Sequence, residues 1–69
     1  MVEVFKTNVE EIDAANKLSN TLYTLYPEFK INFDLDDCDK ILRVEGKNIN
    51  HHKISQILIS RGFECFLLE

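Results

Sequence analysis

From Phe29 to Leu35 the chain alternates without a break: Phe29, Ile31, Phe33 and Leu35 are apolar, while Lys30, Asn32 and Asp34 are polar. A period of two sends the two sets to opposite faces of a strand, so this segment predicts a strand with one buried and one wet face. Such a strand suits an antiparallel sheet covered on one side only. Upstream, the period changes. Ile12, Ala15, Leu18, Leu22 and Leu25 recur at spacings of three and four, which lines one face of a helix. Asn16, Lys17, Asn20 and Thr24 fall mostly on the other side.

The remaining elements follow from shorter signals. Val2 to Lys6 reads as a short first strand, with either Val2 and Val4 or Glu3 and Phe5 turned inward. Asn8 is placed as the N-cap of the first helix, with Glu11 three residues on as its capping-box partner. Glu10, Glu11 and Asp13 put negative charge where the helix dipole favours it. Pro27 stops that helix. Asp36-Asp37-Cys38-Asp39 is a turn by composition, followed by a strand from Lys40 to Glu45 with Leu42 and Val44 inward, ended by Gly46. A second helix begins near Asn50, where Ile49 and Ile54 fit a hydrophobic staple, and Ile54, Ile57 and Leu58 supply its core face. Arg61 suits its C-terminal end, Gly62 is the left-handed stop, and Phe63 to Leu68 is the last strand.

The order is strand, helix, strand, strand, helix, strand. Two right-handed crossovers in that order bring strands one and three together in the centre of a four-stranded antiparallel sheet. Both helices lie on one face, giving a ferredoxin-like βαββαβ two-layer sandwich of the α+β class. The 69 residues, 45% of them hydrophobic, bound the chain to a single domain over residues 1–69 with one small core. A net charge of −4 and a pI of about 5.0 argue against nucleic acid or an anionic membrane as the main partner. No apolar run has the length to span a bilayer, and Met1-Val2-Glu3-Val4 carries neither a basic leader nor an apolar signal core, so a cytoplasmic address is expected. Cys38 in the turn and Cys65 in the last strand would sit near opposite edges of the sheet, too far apart for a disulfide, so both are expected as free thiols.

Three strings carry a resemblance that spans essentially the whole chain: Phe5-Lys6-Thr7-Asn8-Val9, then Asp39-Lys40-Ile41-Leu42-Arg43-Val44-Glu45-Gly46, then Arg61-Gly62-Phe63-Glu64. In pattern and in these strings the chain resembles the heavy-metal-associated domains, the copper-chaperone-like modules of the ferredoxin-like class. In that family the loop after the first strand reads Met-x-Cys-x-x-Cys, and its two thiolates bind Cu(I) or a similar soft ion. Here Val9 takes the methionine position, and Glu11 and Ala14 take the cysteine positions. The resemblance therefore implies the fold together with a degenerate motif. One carboxylate and a methyl group do not hold a soft ion, so no metal or other cofactor is expected at that loop.

Other chemistry is sparse. His51 and His52 are neighbours in sequence and point in different directions on a helix, so they read as solvated. Asp34, Asp36 and Glu45 fit the first, third and twelfth positions of a calcium loop, but Cys38 and Asp39 break it where an oxygen ligand and a glycine are needed, leaving a solvated hairpin tip. Cys65 reads as a small core hydrophobe. No residue set offers a nucleophile with its base, so the chain is not expected to be an enzyme. Ile41, Phe66 and Leu68 are candidates for the helix-free face of the sheet, where an apolar patch would serve self-association or an unidentified protein partner. The expected function is a small non-enzymatic binding domain. The alternatives are metal binding through non-standard ligands such as Cys38, His51, His52 or carboxylates, and a small-molecule-sensing regulatory domain.

Overall fold

The computed structural model describes residues 1–68. Its elements are β1 (Val2–Thr7), α1 (Ile12–Leu25), β2 (Lys30–Asp34), β3 (Ile41–Glu45), α2 (His51–Ser60) and β4 (Cys65–Leu68). The sheet order is β2-β3-β1-β4 and every pairing is antiparallel. This is the ferredoxin-like α+β sandwich that the element order predicts, with β1 and β3 central. No helix among the described residues is long and apolar enough to cross a membrane.

The register settles which face of β1 is buried. Phe5 lies opposite Leu42 and Leu67, and Thr7 opposite Cys65, so Glu3, Phe5 and Thr7 turn toward the helices. Phe5, Leu42 and Val44 are fully buried there, with Leu18 and Leu22 of α1 and Ile54 and Leu58 of α2 closing over them. Each such side chain stabilises by roughly 1.5–3 kcal/mol before entropy is counted. Leu42 and Val44 face inward as their alternation predicts.

Several expectations need correction. The first helix starts at Ile12, and Glu11 is its N-cap with an extended backbone and no side-chain cap bond, so the capping box does not form. Asn8 is engaged elsewhere: its Oδ1 accepts from the Glu64 N–H at 2.8 Å, which ties the first loop to the entrance of β4. Ile12 and Leu25 are also outside the core, at 68% and 55% exposure. A step of three residues advances the stripe about 300°, so two such steps swing Ile12 roughly 120° from Leu18, and both cannot centre on one sheet. On α2, Ile57 is only half-buried, beside the fully buried Ile54 and Leu58.

Strand boundaries contract for local reasons. β2 excludes Phe29 and Leu35: the Phe29 N–H donates to the Tyr26 C=O, and the Asp34 carboxylate turns the chain by accepting from the Asp36 N–H. β3 starts after Lys40, whose φ of 49° lies in the left-handed region and cannot continue a strand. β4 starts at Cys65 because Phe63 is still held by α2. The Gly62 N–H donates to the Ile59 C=O and the Phe63 N–H to the Leu58 C=O, a Schellman stop with Gly62 at φ 89°. β1, in contrast, runs one residue longer, to Thr7.

The second helix begins as expected. Asn50 is the N-cap, and its Oδ1 accepts from the Lys53 N–H at 3.2 Å. Gly46 closes the β3 end by close approach. A Cβ there would lie 2.3 Å from the Phe29 ring, which itself stacks on Tyr26 with centroids 4.9 Å apart.

Candidate functional site

The β1–α1 loop is where the resemblance places a metal. Thr7 organises it: the Thr7 hydroxyl donates to the Lys40 C=O at 2.6 Å and accepts from the Val9 N–H at 3.2 Å. That bend drives Val9 into the core, where it is fully buried. Glu11 is exposed at the helix start and Ala14 is half-buried on the first turn of α1. Neither offers sulfur, and the two thiols of the chain lie in other elements, Cys38 in the β2–β3 turn and Cys65 in β4. The donors present do not fit a soft ion held between two thiolates.

Beside this loop, a cleft of about 400 Å³ separates the start of α1 from the C-terminal end of α2. Ala14, Leu18 and Phe63 form an apolar floor, and Glu11, Lys17 and Arg61 stand on the rim. Sequence reasoning did not join Arg61 and Phe63 to the first loop, because their approach depends on how α2 packs. Charges of both signs, Asp13 among them, ring an apolar floor that can shelter an apolar group.

The acidic turn does bring ligating atoms together. Those of Asp37, Cys38 and Asp39 all lie within 4.8 Å of one another. The carboxylates there are already used: Asp37 Oδ1 accepts from the Asp39 N–H at 2.8 Å, and Asp39 pairs with Lys6 at 3.7 Å. These contacts close the turn. His51 and His52 are exposed on the first turn of α2 and join no group of three ligating side chains among the described residues. Cys65 is buried in β4; burial pushes its thiol above the usual 9.0, opposed in part by a hydrogen bond with Ser55. It therefore stays protonated at neutral pH, as a core hydrophobe does.

The open face of the sheet is the other feature. Val2, Val4 and Lys6 alternate away from the buried Phe5 and Thr7, so they point to the helix-free side with their cross-strand partners. One row reads Asn32, Arg43, Val4, Leu68, and the next reads Asp34, Ile41, Lys6, Phe66. Ile41, Phe66 and Leu68 thus share that face, as their alternation allows. Ile41, however, is 9% exposed between Lys6 and Asp34, so the accessible apolar strip consists of Val2, Phe66 and Leu68, with Val4 half-buried among them. Lys30, Glu45, Arg43 and Asp34 occupy the other half of the face with alternating sign. No family model, no curated protein and no solved structure matches this chain.

Proposed function

We propose that this chain is a small non-enzymatic interaction domain, of heavy-metal-associated type but without the thiolate pair, that works through the open face of its sheet. The observation that carries this reading is the strip of Val2, Phe66 and Leu68, exposed by 50%, 58% and 41% on one face while the helices cover the other. Large apolar side chains grouped on one surface favour contact with another protein. The mixed charges next to them supply a polar rim, and the acidic balance of the chain disfavours a phosphate polymer. The reading assigns no catalytic group: the buried thiol is protonated and the carboxylates at 37–39 close a turn.

The test is a double substitution, Phe66→Glu with Leu68→Glu. Both side chains are substantially exposed, so stability should change by no more than about 0.5 kcal/mol. Immobilised wild-type protein should retain a partner that the double variant releases; identical retention by both would overturn the assignment of the face. The same wild-type preparation, challenged with a Cu(I) chelator of intermediate strength, should leave the copper with the chelator. One equivalent kept by the protein would overturn the metal-free reading of the first loop.

A further inference from the structure

β2 forms one edge of the sheet, and its outer rim is occupied by a side chain. The Tyr23 hydroxyl on α1 accepts from the Ile31 N–H at 3.1 Å and donates to the Ile31 C=O at 3.2 Å. One phenol thus makes both bonds that a neighbouring strand would make at that residue. The N–H and C=O of a given residue leave an antiparallel strand on the same side, and the side alternates along the chain. Phe33 therefore presents its N–H and C=O outward as well, and among the described residues neither has a hydrogen-bond partner on that side. A hollow of about 870 Å³ wraps this rim, with Ile12, Ile31 and Phe33 on its helix side and Asp34 and Arg43 on the open face of the sheet.

We propose that this edge pairs with the same edge of a second copy of the chain, two β2 strands running antiparallel about a two-fold axis at Asn32 to make one continuous eight-stranded sheet. Lys30-Ile31-Asn32-Phe33-Asp34 is complementary to itself in that register. Lys30 meets Asp34 of the other copy at both ends, which gives opposite charges across the pair. Ile31 meets Phe33 on the helix side, filling the apolar wall of the hollow, and Asn32 meets Asn32. The outward groups of Ile31 and Phe33 in each copy then exchange backbone hydrogen bonds. The neighbouring registers are obstructed. A shift toward Leu35 requires a C=O that already accepts from Lys40 Nζ at 2.9 Å, and a shift toward Phe29 requires an N–H already given to Tyr26. Tyr23 is the gate. Its hydroxyl must leave Ile31 before the strands can join, which keeps the single chain protected and the pairing reversible.

Sedimentation equilibrium from micromolar to millimolar protein tests this. Wild type should show a monomer–dimer equilibrium, and Tyr23→Phe should tighten it about ten- to a hundredfold by freeing Ile31 in both copies, a difference on the scale of one net hydrogen bond per copy. Lys30→Asp alone and Asp34→Lys alone place like charges opposite each other and should each weaken self-association about tenfold. An equimolar mixture of those two variants should dimerise again, because the substituted positions then face opposite charges. All three side chains are exposed, but Asp34→Lys also gives up the bond from the Asp36 N–H, so circular dichroism verifies the fold of each variant before its self-association is compared. A chain that stays monomeric in wild type and Tyr23→Phe overturns the proposal and leaves the edge to an extended segment of a different protein. A dimer indifferent to the charge variants but lost in Phe66→Glu also overturns it and moves self-association to the open face.

Discussion

Each helix is preceded by an asparagine next to an aliphatic residue, yet the two are started in different ways. Asn50 precedes α2 and caps it locally, by accepting from the Lys53 N–H three residues on. Asn8 precedes α1 in a segment that reads as the stronger cap, with Glu11 in the capping-box position, yet it bonds the Glu64 N–H fifty-six residues away. Hydrophobic residues follow the same contrast: Val9 before α1 is fully buried, whereas Ile49 before α2 is half-buried. The start of α2 is a local device. The start of α1 is a tertiary joint, held by Thr7 to Lys40 and by Asn8 to Glu64. A polar side chain with a cap-like position in sequence serves the helix only when no closer backbone group competes for it.

Substitution separates the two devices. Val9→Asp should leave the protein unfolded, because a carboxylate at that fully buried site has no partner, whereas Ile49→Asp should yield a folded protein with a lowered midpoint in urea. If Val9→Asp unfolds with an unchanged midpoint, the first loop is not part of the core. Thr7→Val comes next. It conserves shape but strips the hydroxyl from the Lys40 C=O and the buried Val9 N–H, and should cost about 1–3 kcal/mol by urea denaturation. Asn50→Ala and Asn8→Ala should each cost about 1 kcal/mol, and amide hydrogen exchange tells them apart. Asn50→Ala should speed exchange at Lys53 and the first turn of α2. Asn8→Ala should speed it at Glu64 and leave the first turn of α1 as it was; a faster first turn in that variant would restore the capping role.

Much of this molecule is legible in its sequence. The alternation through Phe29–Leu35 marked β2, Gly62 marked the end of α2, and Leu42 and Val44 marked the buried face of β3, because each signal depends on residues a few positions apart. The register of β1 was not readable, since Val2-Glu3-Val4-Phe5 offers an apolar residue on either face and only pairing with Leu42 and Leu67 selects Phe5. Nor was Tyr23, which carries the edge of the sheet: its hydroxyl meets Ile31 across the gap between two elements, and no spacing announces that. The candidate surface was half legible. Alternation makes Ile41, Phe66 and Leu68 candidates for one side, subject to register, but the burial of Ile41 between Lys6 and Asp34 depends on strands far apart in the chain.

Element order and the two-layer arrangement follow from the chain's own periodicities, because side-chain direction repeats every two residues in a strand and every 3.6 in a helix whatever surrounds them. The bonding partners of Thr7, Asn8 and Tyr23 were settled by packing. Once the core closes, a hydroxyl or amide takes the unpaired backbone group that the fold has carried to it, and those groups come from the far side of the sequence.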